Sequence, residues 1–336
     1  MTRSVLITGI TGLIGRSVLR AVLKLEESYR ITALVRPGTS VERFAEFVGR
    51  IELVELDLAD ISGLRKYLDA SSFDVVMHIG ALRGGRAYSR ETFLKANLLC
   101  TQQLTEYCLK QGAILLFCSS VGVYGAIPQE LPANDLSPRN PDNYYHLTKI
   151  ESEKSIQQAV LRGLRSAILR PAITYGPGDN GFPNMLVKMV DRRVFPLVNK
   201  RVWIHLCHID MITKAFIWLL TNDWEPGLAL NVADREPVQL SALVHFISRQ
   251  LSGKNYPSWI LVDRNLFLLG EKIARKLKNE LWTSRFELIS RSWFYEVRST
   301  YELMELPPVF TIPSIQIVID DYLRSHKSRG SRATQK

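Results

Sequence analysis

Short apolar runs recur through the first half of the chain at positions 4–8, 30–35, 51–55, 73–78 and 113–118, each followed by a stretch long enough for a crossing helix. Strands alternating with helices pair in parallel, because a parallel connection must cross a face of the sheet and a helix is the usual crossing element. The expected fold is therefore α/β, a Rossmann-type, doubly wound parallel sheet. Helical spacing covers 14–25 and 144–163, and 166–169 reads as a further buried strand. Beyond Tyr175 the pattern breaks at Pro177, Gly178, Gly181 and Pro183, and helices are expected around 210–220 and 240–251. This predicts a sheet domain at 1–175 that takes back elements from the C-terminal half, a smaller lobe at 176–325, and a basic, disordered tail at 326–336.

With 336 residues, 46% of them hydrophobic, the chain has material for a large core. Asp263 and Arg264 interrupt its richest apolar stretch, 259–269, short of the roughly 18 residues that a membrane span needs. The N-terminus runs from Val5–Ile7 directly into Gly9 and Gly12, unlike a signal peptide, so a cytoplasmic location is expected. Cys100, Cys108, Cys118 and Cys207 form no CxxC pair and have no nearby histidine, so neither disulfides nor a metal site are expected. The formal charge of +10 draws on Arg324, Lys327, Arg329, Arg332 and Lys336 in the tail, which reads as solvated rather than as a specific nucleic-acid surface.

Between the first strand and first helix lies Thr8-Gly9-Ile10-Thr11-Gly12-Leu13-Ile14-Gly15. One glycine permits a sharp turn, a second removes the Cβ that would block a pyrophosphate, and a third lets helix and strand pack closely. Amides at the helix start then meet the phosphates. Thr11, Gly12, Leu13, Ile14 and Gly15, with Gly9, are accordingly candidate cofactor residues, and 1–175 is read as an NAD(P)-binding domain. The second strand ends Leu34-Val35-Arg36, offering a cation for a 2′-phosphate where NAD enzymes commonly place an acid. NADP(H) is favoured, with NAD(H) the alternative. Asp57 and Leu58, after the third strand, are candidate adenine contacts.

Tyr145 and Lys149, four residues apart near a helix start, share a face. A tyrosine with an ordinary pKa of about 10 is a poor base at neutral pH, and a neighbouring ammonium is expected to lower that value. Ser119 and Ser120 emerge from the fifth strand at the edge where open α/β sheets bind ligands, and Ser120 is the candidate donor to a substrate oxygen.

In this order, the motifs resemble the extended short-chain dehydrogenase/reductases, or NAD(P)-dependent epimerase/dehydratase family, over all but the basic tail. The resemblance rests on the glycine turn, Tyr145 and Lys149, Asp57-Leu58, His78-Ile79-Gly80-Ala81, Asn97 to Thr101, Ser120 to Gly125, Arg170-Pro171, Tyr175 to Gly178 and His208-Ile209-Asp210. It implies a catalytic trio of Ser120, Tyr145 and Lys149, with Lys149 also holding the nicotinamide ribose. It adds Gly80, Ala81, Asn97, Pro171 and Ile173 to the cofactor contacts. Gly80, Cys100 and Met211 depart from the family's usual residues. Where sugar-nucleotide epimerases commonly have an asparagine and an arginine to hold the diphosphate, this chain reads Ala172 to Thr174 and Trp203 to His208. Ala33 to Pro37 and Pro171 to Asp179 instead look like the branch containing dihydroflavonol reductases and 3β-hydroxysteroid dehydrogenase-like enzymes, whose substrates are largely apolar.

Hydride exchange with a carbonyl or secondary alcohol of such a molecule is the expected activity. A nucleotide-sugar epimerase or dehydratase is the alternative, and a non-catalytic dinucleotide-binding sensor is disfavoured by the intact trio. Family habit implies a homodimer. Phe195, Trp203, Trp259, Phe267, Trp282, Trp293 and Phe294 would suit an apolar pocket in the C-terminal lobe. The stretch 259–278 combines apolar residues with Lys272, Arg275, Lys276 and Lys278, and is read first as a helix with one packed and one solvated face, with a peripheral membrane contact as the less favoured alternative.

Overall fold

The computed structural model describes residues 2–25, 29–83, 88–277 and 279–333. Seven parallel strands form one sheet. Six are β1 (Arg3–Thr8), β2 (Tyr29–Val35), β3 (Glu52–Glu55), β4 (Val75–His78), β5 (Ile114–Cys118) and β6 (Ser166–Pro171). With the seventh strand, Leu228–Val232, the spatial order is Leu228–Val232, β6, β5, β4, β1, β2, β3. The direction reverses beside β1, which creates the crevice where such sheets bind ligands. Leu6, Val76, Leu115, Phe117 and Ile168 are fully or almost fully buried, as expected for parallel strands covered on both faces. The helices include α1 (Leu13–Val22), α2 (Ile61–Asp69), α3 (Arg90–Phe93), α4 (Cys100–Gln111) and α5 (Tyr144–Val160). Between α3 and α4 the segment Leu94–Leu99 is a π-helical turn.

The chain divides into two compact units. The sheet unit comprises Met1–Gly125, Arg139–Pro171 and Ile212–Val232. Its last segment is anchored locally: Thr213 Oγ1 donates to Ser17 Oγ at 2.9 Å, and Arg3 donates to the Leu220 carbonyl at 3.2 Å.

The second unit comprises Ala126–Pro138, Ala172–Met211 and Ala233–Lys336. Ile173–Tyr175 pairs in parallel with Leu206–His208, while Trp203–Ile204 pairs antiparallel with Val238–Gln239. Its hub is Asp234, which is buried and accepts from the His208 amide at 2.8 Å, Tyr175 at 2.8 Å and Thr311 at 2.6 Å. Three segments remote in sequence are thereby joined, even though burial raises the Asp234 carboxyl to about 6. The lobe's aromatic residues divide between interior and surface: Phe195, Phe267 and Trp293 are core, whereas Trp203, Trp259 and Trp282 are exposed. The backbone of the last helix, Gln316–Ala333, runs into the segment expected to form the tail.

One expectation is reversed. The helix Arg264–Lys276 packs through Phe267, Glu271 and Ala274, while Leu266, Leu269 and Ile273, with Leu277 just beyond its end, face solvent. Glu271 is satisfied there by Arg275 at 2.9 Å and Arg291 at 2.7 Å, and Arg275 also reaches Glu287 at 2.8 Å. An ionic cluster therefore borders the packed side, beside Phe267 and Ala274. Periodicity locates an apolar stripe on a helix but not the side on which its neighbours lie. Lys278 lies outside the described residues.

Candidate active site

The register of the central strands brings three loops together. Thr8 lies opposite both Leu34 of β2 and His78 of β4, so the glycine turn emerges between Arg36 and Gly80. Gly9 has φ +82°, and a Cβ there would stand 2.6 Å from the Gly80 nitrogen. A Cβ at Gly15 would stand 2.2 Å from the Gly9 carbonyl oxygen. Both positions require glycine, one for its turn and the other for close packing of α1. Gly12, in extended backbone, opens α1, and no side chain caps it. The helix start, carrying Leu13, Ile14 and Gly15, thus presents amides and the positive end of the helix dipole beside Thr11. This cradle fits a pyrophosphate.

Cations gather beside it. Arg43 donates to the Thr11 carbonyl at 3.2 Å, and Arg16 donates to the Arg43 carbonyl at 2.9 Å. Arg16 Nε is enclosed without a hydrogen-bond partner among the described residues, as a group awaiting an anion would be. Arg36 is half-exposed and stands 3.6 Å from Asp57. The two residues assigned to opposite tasks at the adenosine end are therefore neighbours. Asp57 also accepts from the Ala59 amide at 2.9 Å, fixing the turn that contains Leu58.

The loop after β4 is built from beneath. Thr8 Oγ1 accepts from the Gly80 amide at 2.9 Å and bonds His78 Nδ1 at 2.8 Å, and His78 Nε2 bonds Thr101 Oγ1 at 3.0 Å. Burial, with a smaller push from Lys149, lowers His78 to about 3, so its imidazole is neutral. A Cβ at Gly80 would come to 3.0 Å from both Leu58 and Thr8, so an alanine here would require those side chains to give way. Asn97, on the π-helical turn, accepts from the Leu82 amide at 2.8 Å and donates to the Leu82 carbonyl at 3.0 Å. It is buried and thus shapes the Ala81–Leu82 loop from below.

At the end of β5 the paired serines separate. Ser119 is buried, and its hydroxyl donates to Glu153. Ser120 is partly exposed, its Oγ accepts from the Gly122 amide at 3.0 Å, and its hydroxyl is within hydrogen-bonding reach of the Tyr145 phenol. It therefore caps the short helix Val121–Tyr124 and remains available to a ligand. Asn143 caps α5 by accepting from the His146 amide at 2.9 Å, which starts the helix immediately before Tyr145.

Lys149 is buried and donates to the Cys118 carbonyl at 2.6 Å, with its ammonium 4.4 Å from the centre of the Phe117 ring. Burial lowers it to about 8. Burial also raises the Tyr145 phenol, against opposing pulls from Arg83 and Ser120. This corrects the expectation that Lys149 would depress it: that ammonium is turned toward the strand end, and the cation acting on the phenol is Arg83.

The residue reading missed Glu153, which continues the Tyr145 and Lys149 spacing by another four positions. Glu153 pairs with Arg170 at 2.7 Å in the interior and raises the Lys149 value electrostatically. The i, i+4, i+8 spacing was the available signal. Arg170 Nη1 further donates to Tyr124 Oη at 3.2 Å, and Tyr124 donates to Asn231 at 3.0 Å. Pro171 ends β6 in the sheet unit, whereas Ile173 belongs to the second unit.

Residues 5–233 match the NAD dependent epimerase/dehydratase family. The chloroplast stem-loop binding protein of 41 kDa b of Arabidopsis thaliana is 25% identical over 314 residues, covering 85% of this chain and 76% of that protein. A 4-hydroxy-2-methyl-3-oxo-4-farnesyl-3,4-dihydroquinoline-1-oxide ketoreductase of Stigmatella aurantiaca is 25% identical over 248 residues, covering 71% of this chain and 70% of that one. The crystal structure of a UDP-glucuronic acid 4-epimerase from Bacillus cereus in complex with NAD superimposes with a TM-score of 0.72 at 19% identity, covering 96% of this chain and 99% of that one.

Proposed function

We propose, on the premise that this chain belongs to the NAD dependent epimerase/dehydratase family, that it exchanges hydride between a nicotinamide cofactor and a carbonyl or secondary alcohol of a largely apolar small molecule. The observation that carries this reading is the grouping of a partly exposed Ser120 hydroxyl, the Tyr145 phenol and the buried Lys149 ammonium around the end of β5. The dinucleotide, when bound, supplies or accepts hydride at its nicotinamide ring. Tyr145 Oη gives a proton to the substrate oxygen during reduction and takes it back during oxidation. Ser120 donates a hydrogen bond that orients the same oxygen, the Arg83 cation favours the phenolate left by proton donation, and Lys149 holds the nicotinamide ribose. A phenol is protonated at neutral pH and burial raises this one further, so the site is poised to donate. The ketoreductase relative, named for a farnesyl-bearing substrate, supports the apolar class.

The test screens carbonyl compounds and nucleotide sugars while following cofactor absorbance and product isomers together. Net cofactor turnover is expected. Isomerisation of a nucleotide sugar without it would assign the same residues to an epimerase. Tyr145→Phe is expected to retain dinucleotide affinity and lose at least a hundredfold in turnover, in line with the worth of a general acid. Normal turnover in that variant would refute the proton-transfer role.

NADP(H) is the proposed cofactor, supported by Arg16, Arg36 and Arg43 about the glycine turn. Titration of both cofactors should show tighter NADPH than NADH binding in the wild type and the reverse order in Arg36→Asp. A cytoplasmic site of action and a homodimer complete the reading.

A further inference from the structure

The outward row on the helix Arg264–Lys276 is continuous. Leu266, Leu269, Ile273 and Leu277, spaced three, four and four residues apart, are 61%, 54%, 52% and 73% exposed. Exposed Lys272 and Lys276 are interleaved with them. One flank of the row is closed against the helix Glu280–Ser290, where a Cβ at Gly270 would lie 3.0 Å from the Phe286 ring. The only acid within the helix, Glu271, is turned to Arg275 and Arg291. Asp263, at the helix start, is engaged by Asn199 and the Asn265 amide. Trp259 and Trp282, on the neighbouring segments, are also exposed, at 76% and 49%.

We propose that this face docks on an anionic lipid bilayer, with the helix lying in the plane of the interface. Aliphatic side chains in a row would enter the acyl boundary, the lysines between them would reach the headgroups, and tryptophans favour this depth. No described helix is long and apolar enough to cross a membrane, so the contact is peripheral. Charge selects this occupant over a second copy of the chain. A two-fold contact through the same face would set Lys272 and Lys276 against their own counterparts, whereas anionic headgroups neutralise them.

The test is sedimentation of the full chain with vesicles of phosphatidylcholine, with and without phosphatidylglycerol. Binding is expected to the anionic vesicles and to weaken as salt rises. The double variant Leu269→Asp, Ile273→Asp should lose it at least tenfold. Lys272→Ala with Lys276→Ala should weaken it by roughly thirtyfold on anionic vesicles and leave residual binding to neutral ones unchanged. All four positions are exposed, and unchanged melting and dinucleotide binding would show that the variants fold. Failure of the wild type to bind anionic vesicles, or binding indifferent to the aspartates, overturns the proposal. So does a lipid-free dimer that the aspartates dissociate, which would assign the face to a subunit contact.

Discussion

Lys149 shows how one side chain can be held against the interest of the fold. Its ammonium is buried, and its value falls from 10.5 to about 8. The unfolded chain therefore binds that proton more tightly. The group's contribution to stability is lowest below pH 8, rises between about 8 and 10.5, and is then constant. A shift of this size is on the order of 3 kcal/mol, opposed by about 1 kcal/mol from the hydrogen bond to Cys118. Lys149→Met should accordingly melt higher than the wild type at pH 7, lose most of that advantage by pH 10, and turn over at least a hundredfold more slowly. Calorimetry at the two pH values checks this, and a lower melting temperature at pH 7 would contradict it. Spacing made Tyr145 and Lys149 legible as a pair. It did not reveal their partners, because whether an ammonium faces a phenol or a carbonyl depends on a strand end that arrives from elsewhere in the chain.

The helix α5 does more than present two side chains. Tyr145, Lys149 and Glu153 occupy successive turns of one face, and Glu153 meets Arg170 of β6 and Ser119 beyond β5. The helix is thus fastened to two strands by an enclosed ionic bond. Removing one partner of such a pair leaves the other charge uncompensated, at about 3–5 kcal/mol. Glu153→Gln retains an acceptor for Arg170 yet loses the charge, so destabilisation of roughly 3 kcal/mol is expected in urea unfolding. The double variant Glu153→Met, Arg170→Met should recover most of the loss, because it leaves no orphaned charge. The buried parallel strands were legible because both their faces are covered and their sequences are continuously apolar. The outward-facing leucines near 266–277 were not, since a helical repeat carries no information about the side on which a neighbour packs.

At the scale of the molecule, the sheet was readable from the order of its apolar runs, and a return of C-terminal elements to it was expected, but which residues return was not. The seventh strand, Leu228–Val232, pairs with β6 from Ala167 to Pro171, and residues 212–232 belong to the sheet unit. A chain cut after residue 175 lacks that strand and leaves β6 as an open edge of unpaired amides and carbonyls, a template for association with other chains. The fragment 1–175 is therefore expected to be expressed largely as aggregate, measurable as its soluble fraction beside that of the full chain. A monomeric, cooperatively melting fragment would contradict the expectation. During synthesis the same edge stays open until residue 232 has left the ribosome, so the half of the chain that carries the glycine turn must wait for much of the other half. The nascent protein has a vulnerable interval whose length is set by the second unit's excursion, and an insertion between 176 and 211 would prolong that interval even if it left the finished enzyme unchanged.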